Sequence, residues 1–100
     1  MKAKFKPIID TLSKAKIPLW IAQSHTRSLN AIRIRAMIVE LLYRNEELTQ
    51  SEIAELLKHS QASISRIRDY HKKLLADDEQ YKKEYQLVLN EYRKAQENDV

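Results

Sequence analysis

The sequence predicts an all-α fold: a small helical domain with a closely spaced helix pair in its middle and an amphipathic helix near its C-terminal end. Three observations lead there. The 100 residues include no glycine and two prolines, so hairpin turns lack the residues they usually require. Apolar residues recur at spacings of three and four along most of the chain. Capping residues stand where those periodic stretches begin.

Composition sets the outer bounds. A chain of this length makes one domain, residues 1–100, and buries about 60 to 65% of its unfolded surface, so a partner copy would add to its stability. It is 43% hydrophobic and 32% charged, with net charge +4 and pI near 9.4. That balance is too apolar and too periodic for disorder. No uncharged run of 18 residues exists, so no transmembrane helix is expected. The start, MKAKFKPIID, lacks the apolar core of a signal peptide, and there is no cysteine, so a cytoplasmic location is expected.

Residues 1–28 form a basic N-terminal helix and loop. Phe5, Ile8, Ile9 and Leu12 fall on one face among Lys2, Lys4, Lys6, Lys14 and Lys16, with Pro7 in the first turn of a helix over 2–16. This helix either packs on the core with a solvated lysine face, or lies on a DNA backbone, or docks weakly on a membrane surface. Residues 17–28 read as irregular, because Pro18 bars a helix at Ile17. Trp20 is expected as a core anchor rather than a stacking platform, and Ser28 as a helix cap.

Residues 29–45 read as a scaffold helix. Leu29, Ile32, Ala36, Val39 and Tyr43 make one stripe; Ile34, Ile38, Leu41 and Leu42 add a second. A helix apolar nearly all round belongs at the centre of a core or a dimer. Arg33 and Arg35 gain nothing from the dipole at the helix start, which favours an external anion as their partner.

Residues 49–75 hold the helix pair. Thr49 and Glu52 form a capping box, so a short helix starts at Gln50 and buries Ile53, Ala54, Leu56 and Leu57. Lys58-His59-Ser60 interrupts it, and Ser60 caps a second helix that buries Ile64, Ile67, His71 and Leu74. The outer face of that helix shows Gln61, Ala62, Ser63, Ser65 and Arg66, then Asp69, Lys72 and Lys73. Small and amide side chains followed by Arg and Lys suit a helix whose N-terminal end enters a major groove. Residues 77–95 make the last helix, with Asp77 as cap and Gln80 at the capping-box position. Tyr81, Tyr85, Val88 and Tyr92 form a stripe that packs on the core or on a second subunit; the tail from Gln96 is expected to fray.

TQSEIAELLKHSQASISR, within residues 49–66, resembles the helix-turn-helix of the Trp repressor family, in its Thr49-Gln50 start, its Glu52-Ile53 pair and its Ala62-Ser63-Ile64-Ser65-Arg66 run. RIRAMIVELLYR, residues 33–44, resembles the helix that precedes the motif there. Upstream, Arg27-Ser28, Arg33 and Ala36-Met37 are similar to the DNA-binding domain of the replication initiator DnaA, whose Arg-Asp-His-Thr-Thr signature is absent. The resemblance, which covers roughly 27–73, implies a helix-turn-helix in the 49–75 helix pair, a homodimer with interlocked terminal helices, and Arg27 at a phosphate or groove. Lys58 replaces the family's turn glycine, so a non-glycine residue must make the turn. The family's co-repressor lies between arginines that align with Arg35 and Arg66. Ile67 stands where a glycine leaves room for it, so no small-molecule co-repressor is expected.

Charge distribution agrees. Residues 1–45 carry nine Lys/Arg (2, 4, 6, 14, 16, 27, 33, 35, 44) against Asp10 and Glu40, and 58–73 carry Lys58, Arg66, Arg68, Lys72 and Lys73 against Asp69. A basic front orients a protein on DNA. Double-stranded DNA is therefore the expected partner, with Gln61, Ala62, Ser63, Ser65 and Arg66 reading bases and Arg27, Gln50, Ser51, Arg68, Lys72 and Lys73 on the backbone. His25, His59 and His71 share no metal-ligand spacing and no Gly-rich phosphate loop exists, so neither enzyme nor cofactor is expected. A repressor-type regulator leads; an accessory factor in transposition, phage packaging or replication, and a pure protein-interaction module, are the alternatives.

Overall fold

The computed structural model describes residues 2–97, and all regular structure among them is helical: α1 Phe5–Lys14, α2 Leu19–Gln23, α3 Leu29–Arg44, α4 Gln50–Leu57, α5 Gln61–Asp77 and α6 Glu79–Glu97. The scaffold helix α3 touches α2, α4, α5 and α6. Ala36, Met37, Ile38, Val39, Leu41 and Leu42 are buried along it, and Phe5, Leu12, Ile53, Leu57, Ile64, Tyr81 and Tyr92 close the same core around it.

α1 is an amphipathic helix that packs inward through Phe5, Ile8 and Leu12, and its Thr11 hydroxyl donates to the Pro7 carbonyl at 2.9 Å, satisfying a buried polar group. It stops earlier than its periodicity suggests. Lys16 adopts φ 59°, and the Lys16 and Ile17 amides donate back to the Ser13 and Leu12 carbonyls, which ends the helix at Lys14, before Pro18 is reached. Lys2 and Lys4 turn to α4, where they pair with Glu52.

Residues 17–28 are more ordered than the sequence suggests. A single turn, α2, starts after Pro18, buries Ala22 and is tied to α4 by the Gln23 side-chain amide, which donates to the Leu56 carbonyl at 3.0 Å. One turn has too few apolar positions to register as a period. Trp20 corrects the expectation of a core anchor, since it is 71% exposed; Leu29, placed on the α3 stripe, is 66% exposed. Both lie where α2 and the start of α3 face solvent, and Ala22 and Ala31 take the inward positions.

The α4 start is as expected: the Thr49 hydroxyl accepts from the Glu52 amide and the Glu52 carboxylate accepts from the Thr49 amide. Lys58 makes the following turn at φ 60°, and Ser60 caps α5. The glycine-free chain thus places Lys16, Glu47 and Lys58 in the left-handed region, each at about 1 kcal/mol of strain.

The last cap shifts by one residue. α5 runs through Asp77, and Asp78 is the residue whose carboxylate accepts the Tyr81 amide, at 3.0 Å. Arg33 fixes that choice by donating to the same Asp78 carboxylate at 2.8 Å. Tyr81, Tyr85, Leu89 and Tyr92 are buried against α1, α3 and α5, with Val88 half-buried. The tyrosine stripe therefore closes the core of its own chain. Gln96 is still helical and donates to Glu46; residues 98–100 of the expected frayed tail lie outside the described residues. No helix of the described residues is long and apolar enough to cross a membrane.

Candidate nucleic-acid interface

α5 is positioned by its inward residues. Ile64 and His71 are fully buried and Ile67 and Leu74 half-buried, which turns Gln61, Ala62, Ser65 and Arg66 to solvent with Lys72 and Lys73 two turns on. At the N-terminal end the Ser63 amide donates to the Ser60 hydroxyl at 3.1 Å, and the Ser60 hydroxyl donates to that of Ser63 at 3.0 Å. Arg66 donates to the Ser63 hydroxyl at 3.3 Å, so its guanidinium lies along the first turn. Ser51 is exposed at the start of α4.

Two of the expected backbone contacts are otherwise engaged. Arg68 points inward: its Nε donates to the buried Glu40 carboxylate at 3.3 Å, its Nη1 donates to the Gln50 side-chain oxygen at 3.2 Å, and its guanidinium lies 3.5 Å over the Tyr43 ring. A guanidinium held by a carboxylate, an amide and a ring face is not a free surface charge, so Arg68 is removed from the phosphate contacts. Gln50 goes with it in part, since its side-chain oxygen serves Arg68. Glu40 had no assigned role in the sequence, although Arg44 one turn later, donating at 3.1 Å, gave a hint of the pairing.

Across a cleft of about 370 Å³ from α5 lies the loop 24–28. It carries Arg27, which is exposed. Two side chains, Arg35 and His59, hold this loop and the end of α2 before it. Arg35 Nη2 donates to the Ser24 carbonyl at 2.8 Å and the Thr26 carbonyl at 2.9 Å. His59 Nε2 sits 2.9 Å from the Ala22 carbonyl, so it carries the proton and donates. The His25 and His59 rings are 4.5 Å apart. Arg66 and Ile67 line the opposite wall.

The electrostatics of the cleft are one-sided. Burial depresses the basicity of His59 below the ordinary histidine value, and the nearby His25 and Arg35 push the same way, against the bond to Ala22. Burial likewise lowers the pKa of Arg35. Arg33, two residues earlier, differs: its ion pairs with Asp78 and Glu84 raise its pKa. The sequence grouped Arg33 and Arg35 as cations awaiting an external anion; Arg33 has internal partners. The His25–His59 pairing had no sequence signal, because 34 positions separate the two rings.

Among the described residues no group of three or more His, Cys, Asp or Glu side chains is arranged to hold a metal ion. No protein-family model, curated protein or solved structure matches the chain. The arrangement of its own residues is the ground for a functional reading.

Proposed function

We propose that the chain is a sequence-specific double-stranded DNA-binding protein, a transcriptional regulator of repressor type that uses α4 and α5 as a helix-turn-helix. One observation carries the reading: the solvent face of the capped helix α5 presents Gln61, Ala62, Ser65 and Arg66 in its first turns and Lys72 and Lys73 in its later ones, with Arg27 beside it across the cleft. Short polar side chains and an arginine suit base edges, and flanking cations suit phosphates. Ser51 belongs to the phosphate set, at the N-terminus of a helix whose amides point outward. Homodimerisation on an inverted repeat is part of the proposal. Since the tyrosine stripe is used within the chain, the dimer contact falls elsewhere.

The test is selection of the purified protein on a randomised duplex pool, followed by anisotropy on selected and scrambled duplexes at several salt concentrations. A preference of at least about a thousandfold with a steep salt dependence supports a specific reader. Arg66→Ala should cost about 1 to 3 kcal/mol and relax one base position, whereas Lys72→Ala should weaken every sequence alike. Identical behaviour of the two variants would remove the assignment of roles.

A second reading rests on Trp20 and Leu29, large apolar side chains that stand open to solvent. They favour a protein contact, as in an accessory factor of a larger DNA assembly. Oligomers beyond a dimer on DNA that vanish in Trp20→Ser would shift the weight to it.

A further inference from the structure

Among the described residues, the buried carboxylates and the buried and half-buried guanidinium groups come with counter-charges, with one exception. Glu40 is held by Arg44 and Arg68, Glu52 by Lys2 and Lys4, and Arg33 by Asp78 and Glu84. Arg35 is 7% exposed, yet its acceptors are all neutral: the Ser24 and Thr26 carbonyls and the Ser24 hydroxyl. Its Nε is buried and has no hydrogen-bond partner. A buried guanidinium without an anion is unfavourable unless something else supplies the charge.

The surroundings repeat the same sign. The cleft that Arg35 lines also holds His25, Arg27, His59 and Arg66, and no Asp or Glu lines it. We propose that this cleft seats a phosphate group of the bound duplex, with Arg27 donating to its oxygens at the mouth and Arg35 supplying the compensating charge from below, while Arg66 on the α5 wall stays with the bases. The proposal rests on the DNA reading above and deepens it by naming a backbone seat apart from the outer face of α5. Phosphate fits better than a base edge because three arginines and no carboxylate line the cleft, one of them, Arg35, buried without an anion.

A consequence follows for protons. His59 faces His25 and Arg27 from the loop, Arg35 from α3, and Arg66 and Tyr70 from α5, so nothing acidic favours its protonated form. A seated phosphate reverses that balance. Protonation keeps the bond from Nε2 to the Ala22 carbonyl, since Nε2 already donates, and adds a cation 4.5 Å from the ring of His25. Binding therefore takes up a proton, and affinity rises as pH falls toward the free protein's His59 value, then levels off once both states are protonated.

The experiment is anisotropy of the full chain on its selected duplex from pH 8 to pH 5.5 at fixed ionic strength, with calorimetry in two buffers of different ionisation enthalpy to count protons. Expected are tighter binding by up to about tenfold per pH unit in the coupled window, net proton uptake, and loss of both in His59→Gln, whose amide still donates to Ala22. Arg35→Met should lower the salt slope by about 0.9, one phosphate's share. Thermal unfolding of each variant establishes that it is folded. Undiminished affinity and slope in folded Arg35→Met, or a pH profile in His59→Gln matching the unchanged protein, overturns the proposal. If no duplex binds, inorganic phosphate is titrated while the His25 and His59 ring resonances are followed. Saturable shifts that vanish in Arg35→Met keep the seat and discard the DNA reading, and no shift overturns both.

Discussion

The two flanks of α3 treat charge in opposite ways. Arg33 and Arg35 are two positions apart, so they leave the helix roughly 200° from one another. On the α6 side Arg33 meets Asp78 and Glu84 and lies 5.3 Å from the Tyr81 ring centre, the Tyr81 hydroxyl meets His71 at 2.6 Å, and the Tyr92 hydroxyl meets Glu46. That side is closed. On the side of loop 24–28, Arg35, Arg27, Arg66 and two histidines surround a cleft without a carboxylate. Charge compensation from within the chain marks a side that is structural, and its absence is the feature on which the proposed phosphate seat rests.

The largest test of this contrast is on the closed side. Tyr92 is wholly buried, and Tyr92→Ala should remove about 3 to 5 kcal/mol of stability in urea titration. A loss below about 1 kcal/mol would mean that α6 is not integral to the core. Next comes Glu40→Ala, which strips Arg68 of its buried counter-ion and should cost about 3 kcal/mol. By contrast Arg35→Met, which removes an uncompensated charge, should leave the unfolding free energy within about 1 kcal/mol of the starting value or raise it. Equal losses for the two variants would erase the distinction between the flanks.

Acid should sharpen the contrast through the histidines. His59 on the open side and His71 on the closed side are both held below the ordinary value of 6.5, each chiefly by burial. The unfolded chain therefore binds more protons just below pH 6.5, and stability rises with pH through that window. It is complete above about pH 6.5 and falls as the solution is acidified. The unfolding midpoint should drop by roughly 5 °C between pH 7 and pH 5, and His59→Gln should remove part of that drop, leaving the share of His71. The smallest expected effect is at the turn between α4 and α5. Lys58 holds φ 60°, so Lys58→Gly should relieve strain and raise stability by at most about 1 kcal/mol, read as a small upward shift of the urea midpoint.

Much of the frame was legible beforehand because its causes are local. The caps at Ser28, Thr49 and Ser60 and the span of α3 follow from neighbours within four residues. Lys58 as the turn residue followed from the lack of any glycine to do the work. What the sequence concealed is set by distant contacts. Arg68 reads as a phosphate-contacting cation until Glu40 and Gln50, 28 and 18 positions away, are seen to hold it. Asp77 and Asp78 are equivalent as caps until Arg33 selects the second. Trp20 reads as an anchor on the strength of its size, but a one-turn helix offers a single fully buried position and Ala22 takes it. In the interface, the exposure of Gln61, Ala62, Ser65 and Arg66 followed from the spacing of Ile64, Ile67, His71 and Leu74. The cleft opposite did not, because it is assembled from loop 24–28, α3 and α5.

The tethers at the two ends of α6 also determine how the molecule comes apart. Arg33 reaches Asp78 and Glu84 over 45 and 51 positions, and Tyr92 reaches Glu46 over 46. Loop 24–28 is held by Arg35 over 9 and 11. Connections that span half the chain make α6 part of the cooperative unit, so its amides exchange with solvent when the whole domain opens. The loop has fewer polar ties, Arg35 and the His59 contacts with Ala22 and His25, so it should open at lower free-energy cost than α6. The last helix of the chain is thus among its slowest-exchanging parts, and the segment that carries Arg27 is free to adjust to whatever it meets.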